Sequence, residues 1–156
     1  DNSLENNISP YRIEIMRTDK KNNKKVLIAE HHPDMLEVIS LQMELLGFDV
    51  FPVRDGYEAV ETAMRELPDL IIMAIRMPGM DGLEAARVLR SLERTQLIPI
   101  IAATVFYGEA EIKRCMDAGF SEYLLKPFTF HELQEKIRGL IPDSSLPVQE
   151  RARLAG

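Results

Sequence analysis

Short apolar runs alternate along the chain with segments in which apolar residues recur every three or four positions. The runs Val26–Ala29, Phe48–Val53, Leu70–Ile75, Ile100–Thr104 and Tyr123–Leu125 read as five β-strands. The second, third and fourth are the most apolar, as burial on two faces requires. After the first comes a helical stripe of Leu36, Ile39, Met43 and Leu46; after the second, Val60, Ala63 or Met64, and Leu67. Leu83, Ala86 and Leu89 mark a third helix, Ile112 with Cys115 or Met116 a fourth, and Leu133, Ile137 and Leu140 a fifth. Asp55 before Glu58, Asp81 before Glu84 and Thr129 before Glu132 place an N-cap oxygen three residues ahead of a Glu, where orphan backbone donors need acceptors. Gly47 and Gly119 follow helical stretches where a left-handed residue ends a helix cheaply. Five βα units predict a doubly wound α/β domain, a parallel sheet with right-handed crossovers and helices on both faces. The polar stretch 1–24 reads as an N-terminal tail, 25–141 as the domain, and 142–156 as a C-terminal tail or linker.

At 156 residues there is room for one core plus tails, and 46% hydrophobic with 28% charged residues is the composition of a folding chain rather than a disordered one. The longest apolar run, Leu70–Ile75, is far too short to span a bilayer, and Asp1–Pro10 lacks the basic start and apolar stretch of an export signal. Cys115 is the sole cysteine, which excludes an intrachain disulfide and a cysteine-based zinc site. These features together predict a cytoplasmic protein without membrane contact. A net charge of −6 argues against direct binding to nucleic acid phosphates, and the basic cluster Lys20, Lys21, Lys24 and Lys25 reads as a solvated approach to the first strand.

In a doubly wound sheet ligands bind beyond the carboxyl ends of the strands, so those ends are a site prediction. They carry Glu30 and His31 after strand one, Ala74 to Arg76 after strand three, Thr104 after strand four and Lys126 after strand five. The stretches Pro68-Asp69-Leu70-Ile71-Ile72-Met73, Met77-Pro78-Gly79-Met80-Asp81-Gly82, Ile100 to Thr104, and Ala118-Gly119 followed by Tyr123-Leu124-Leu125-Lys126-Pro127-Phe128 keep a fixed order and spacing. In these the chain, over Lys25 to Ile141, resembles the receiver domain of bacterial two-component response regulators.

The resemblance implies a flavodoxin-like five-stranded sheet of order 2-1-3-4-5 and a place in phosphorelay signal transduction. Receivers accept a phosphoryl group from a histidine kinase on an aspartate at the end of the third strand, helped by magnesium, a hydroxyl and a lysine. Matched by position, Thr104 supplies the hydroxyl, Lys126 the lysine, Glu30 the first acid of the magnesium pair, and Thr104 with Tyr123 the switch pair. Ala74 stands at the phosphoacceptor position, where a methyl group has no lone pair to attack phosphorus. His31 replaces the second magnesium-binding acid, and imidazole suits that hard ion poorly. Val105 follows Thr104 with two methyls more than alanine and crowds the approach. No catalytic residue, no resident metal and no cofactor are therefore expected, magnesium entering only if the acids were restored. The expectation is a non-enzymatic pseudo-receiver, a phosphorylation-independent interaction module with the inherited pocket Glu30, His31, Ala74, Arg76, Thr104 and Lys126. An ion pair between Glu30 and Lys126 should compensate the lysine.

The same resemblance places the partner surface on the fourth helix, fifth strand and fifth helix, for a histidine kinase, another protein or a second copy. Phe106, Tyr107, Phe120, Phe128 and Phe130 concentrate aromatic anchors nearby, while Met77, Met80 and Met116 read as packing residues. Three other readings compete. A genuine phosphoryl-accepting regulator results if the Asp at position 74 was replaced by Ala. A small-molecule-binding or enzymatic flavodoxin-like domain would reuse the pocket, although the turn after strand one has no glycine to admit a phosphate. Glu30-His31-His32 offers transition-metal ligands, against which stand the rarity of adjacent residues converging on one ion and the helix opened by Pro33. Too few residues follow Ile141 to build an output domain.

Overall fold

The structure, a computed structural model, describes residues 22–141. Ten elements alternate: β1 Lys25–Ala29, α1 Pro33–Leu45, β2 Asp49–Val53, α2 Gly56–Glu66, β3 Leu70–Ala74, α3 Gly82–Ser91, β4 Ile100–Thr104, α4 Glu109–Ala118, β5 Glu122–Leu125 and α5 Phe130–Leu140. The strands form one parallel sheet of order β2-β1-β3-β4-β5. This is the expected flavodoxin-like topology, with its switch point between β1 and β3.

Strand alternation divides the core in two. Leu27, Ile71, Met73, Ile100 and Ala102 face α2, α3 and α4, whose Ala59, Ala63, Leu83, Ala86, Leu89 and Cys115 complete that layer. Val26, Ile28, Leu70, Ile72 and Ile101 pack on the other face against Ile39 and Met43 of α1 and Leu133 and Ile137 of α5. β3 and β4 are buried throughout, as central strands covered on both faces must be. β2 is not: although it was expected among the two-sided strands, it lies at the sheet edge with exposed Asp49 and Pro52. Pro52 has no N–H to give a ladder, which an edge position tolerates.

All three expected caps form. Asp55 accepts from the Glu58 amide and Asp81 from the Glu84 amide, each at 2.8 Å. The reciprocal box closes only at Thr129, since the Glu58 carboxylate takes the Arg54 amide instead. Gly47 and Gly119 both adopt positive φ after helices.

Two buried-face assignments need correction. α2 turns Gly56, Ala59, Thr62 and Ala63 inward and leaves Met64 and Leu67 exposed, because Gly56 meets the Met80 carbonyl too closely for any Cβ and the helix can sit there only on small residues. α4 buries Cys115 and Ala118, while Ile112 and Met116 face outward. Asn22 donates its amide to Gly47 O and its side chain to Leu46 O, and accepts from the Lys24 amide, so residues 22–24 are bound to the α1–β2 turn. Lys20, Lys21 and the rest of both expected tails lie outside the described residues.

At the amino-terminal end of the sheet Arg90 fastens α3 to its neighbours. Its guanidinium donates to the carbonyls of Gly119 at 2.8 Å, Gln96 at 2.9 Å and Ile98 at 2.6 Å, and to Ser121 Oγ at 3.3 Å. Burial lowers its pKa from the ordinary arginine value.

Candidate functional site

The loops after β1, β3, β4 and β5 enclose a cleft of about 690 Å³ lined by all six expected pocket residues, with Asp81 and His32 joining them. Each is delivered by a short extension of the sheet. The Glu30 amide donates to Val53 O at 3.1 Å and the Lys126 amide to Thr104 O at 2.7 Å, so both residues continue the ladders just past their strands. The Lys126–Pro127 peptide bond is cis.

Glu30 and Lys126 form the expected ion pair, Nζ to Oε1 at 2.9 Å, with side chains only 2% and 12% exposed for acid and base. Burying both charges is sustained by this contact, because neither could be left alone in so dry a position. His32 Nδ1 lies 3.2 Å from the same oxygen. Glu30 Oε2, equally buried, has no hydrogen-bond partner, and neither has the buried His31 Nδ1. The two imidazoles lie against one another with centroids 3.8 Å apart at 44°. Adjacent side chains do converge here, contrary to expectation: the chain bends at His31 and His32, and Pro33 fixes the first turn of α1 directly afterwards. Potential ligand atoms of Glu30, His31 and His32, one from each residue, all lie within 4.8 Å of one another.

Ala74 closes β3 opposite this cluster, 4% exposed and paired in register with Ala103. Its position is set by Gly82, whose amide donates to Ile75 O at 2.7 Å and whose missing Cβ would collide with the Ala74 carbonyl. A side chain at position 82 would push the 75–82 loop off the sheet end. Asp81, the second carboxylate of the cleft, is committed to capping α3. Thr104 is buried and its hydroxyl accepts from the Phe106 amide at 3.1 Å. At the rim, the Arg76 guanidinium lies 4.3 Å over the Phe106 ring, a cation–π contact. Val105 lines the cleft but projects largely into solvent.

Tyr123 packs against the α2–α4 layer, and its buried hydroxyl has no partner. Burial raises its pKa, and neighbouring Cys115 and Glu111 raise it further. Of the five C-terminal aromatics, Tyr107 alone is fully displayed at 80% exposure; Phe120 is buried, and Phe106, Phe128 and Phe130 are half-buried. Sequence reading missed His32 as a partner of Glu30, and Arg54, whose guanidinium donates to His31 O at 3.1 Å. No periodicity governs side-chain direction at a bend, although the charge of Arg54 at the end of β2, the strand paired with β1, was a usable signal.

Comparison with known proteins agrees with this geometry. Polar-differentiation response regulator DivK of Brucella ovis is 31% identical over 121 residues, 78% of this chain and 98% of DivK. The alkaline phosphatase synthesis transcriptional regulatory protein PhoP of Bacillus subtilis is 28% identical over 124 residues, 80% of this chain but 51% of PhoP, so the chain spans about half of that relative. Among solved structures, the receiver domain of sensor histidine kinase PA1611 from Pseudomonas aeruginosa, with a magnesium ion coordinated in its active site cleft, superposes with a TM-score of 0.73 at 36% identity, covering 78% of this chain and 99% of that one. Among the described residues no helix is long and apolar enough to cross a membrane. Residues 26–138 match the response regulator receiver domain, and the chain belongs to that family of two-component regulatory modules.

Proposed function

We propose that this receiver domain works as a phosphorylation-independent interaction module. The observation that carries the reading is the meeting of Glu30, Thr104 and Lys126 around Ala74, whose methyl offers no nucleophile to a phosphoryl donor. The donor set also does not fit magnesium. That ion needs near-octahedral oxygen ligands, whereas Glu30 has one oxygen taken by Lys126, Asp81 is engaged at its helix, and the nearest further donors are imidazoles. Signalling then passes through surface contacts alone. The α4–β5–α5 face is the surface we assign to a protein partner, a histidine kinase or a second copy: it displays Ile112, Met116 and Leu125, and Tyr107 is exposed in the loop ahead of α4.

The test is incubation of the whole chain with acetyl phosphate and magnesium, followed by intact-mass measurement. No adduct is expected, and a stoichiometric hydroxylamine-labile phosphoryl adduct would refute the reading. A second reading, a phosphoryl-accepting regulator whose acceptor was exchanged for Ala74, draws on the intact Lys126–Thr104 frame. Ala74→Asp separates the two. Rapid phosphorylation of that single variant favours exchange at one position, while a requirement for His31→Asp as well favours long-standing loss of the chemistry.

A further inference from the structure

We infer that Glu30, His31 and His32 bind one divalent transition-metal ion of the zinc, nickel or copper class at the mouth of the cleft, where magnesium does not fit. The inference is independent of whether position 74 is ever phosphorylated. It starts from two unmet atoms. Glu30 is 1% exposed, yet its Oε2 has no hydrogen-bond partner, and the same is true of the buried His31 Nδ1. Buried acceptors without donors are costly, and a cation is what satisfies a carboxylate oxygen and an imidazole lone pair together.

The chemistry of the set selects the ion. Two imidazoles and one carboxylate, with ligand atoms within 4.8 Å of each other, match the three-ligand, open-position sites that borderline divalent ions occupy. The supporting contacts are already present. Lys126 holds Glu30 Oε1 at 2.9 Å, which orients the carboxylate and leaves Oε2 for the ion. His31 O is tied down by Arg54, and His32, at the N-cap position ahead of Pro33, accepts the Leu36 amide on its carbonyl, so the backbone carrying both rings is fixed before any ion arrives. The His32 side chain, 67% exposed, needs only to exchange its 3.2 Å contact with Oε1 for the ion. A divalent ion beside the Lys126 ammonium leaves net positive charge facing the cleft. The open position therefore favours an anionic ligand, hydroxide or a small oxyanion, over neutral water.

Zinc chloride is titrated calorimetrically into the chelator-treated whole chain, with magnesium chloride in parallel. One zinc equivalent is expected to bind, with no saturable magnesium heat. His31→Ala and His32→Ala should each weaken zinc at least about tenfold, the scale on which lost supporting contacts act at metal sites. His131→Ala should leave it unchanged, since that third histidine sits on α5 beside Glu135. Should a variant fail to fold by circular dichroism, copper(II) added to the unaltered chain decides the matter through paramagnetic loss of amide signals centred on residues 30–32. Absence of zinc binding, undiminished binding in the His31→Ala/His32→Ala double variant, or broadening centred on His131 would each overturn the site.

Discussion

Two cations, half-buried Arg90 and the more deeply set Lys126, hold the two ends of the sheet, and the structure treats them differently. Arg90, at the amino-terminal end, spends its donors on three carbonyls and a hydroxyl. Lys126, at the carboxyl end, meets a single carboxylate oxygen, and around that pair Glu30 Oε2 and His31 Nδ1 remain unmet. The first arrangement is what a fold does when it needs only rigidity. The second leaves potential for a ligand or partner at the place where the loops of four strands meet. The contrast is between a charge whose donors are all met and one whose surroundings are not.

Lys126→Ala should break this contrast most severely. It strands the Glu30 carboxylate at 2% side-chain exposure, and loss of one partner of a buried pair costs about 3–5 kcal/mol, measurable by urea denaturation. Glu30→Gln with Lys126→Met should recover most of that stability, because the charge needing compensation is then gone. Arg90→Ala comes next, at about 2–3 kcal/mol, the scale of lost hydrogen bonds to a charged group. It should leave zinc binding at Glu30–His32 intact, whereas Lys126→Ala alters it.

Tyr123→Phe is the smallest change. The buried hydroxyl has no partner, so its removal should raise stability by about 1 kcal/mol, the low end of the cost of an unsatisfied buried polar group. Its pH effect is more specific. With the folded pKa raised, the unfolded phenol ionises first, near about pH 10, so the contribution is complete below that pH and is lost as pH rises through the folded value. Cys115, also raised by burial, adds a loss beginning near about pH 8.5. Denaturation curves between pH 8 and 11 should show a shallower alkaline decline in Tyr123→Phe, and an unchanged slope would mean that the phenol reaches water.

The sheet was legible because each strand run is short, apolar and bounded, and because Asp81, Asp55 and Thr129 announce helix starts through a local rule. β2 was misplaced in depth since apolar composition does not distinguish an edge from a centre; Pro52 did carry that information. The α2 face was misread at Met64 and Leu67, which are larger than the residues it buries, and tight packing of Gly56 on Met80 O selects small side chains over greasy ones. In the site, Glu30 and Lys126 were legible as an acid and a base delivered to the same carboxyl end of the sheet, from β1 and β5. The convergence of His31 with His32 was not, because it depends on a bend rather than a period. Arg90 escaped notice for a related reason: carbonyl acceptors are supplied by every residue, so nothing in the sequence distinguishes Gly119, Gln96 and Ile98 as its partners.

The close seat of Gly82 beneath the end of β3 separates frame from reagent. With the main chain at position 74 held by backbone packing and the Gly82–Ile75 bond rather than by its own side chain, that side chain is exchangeable cargo. A different side chain at position 74 would meet the same backbone frame.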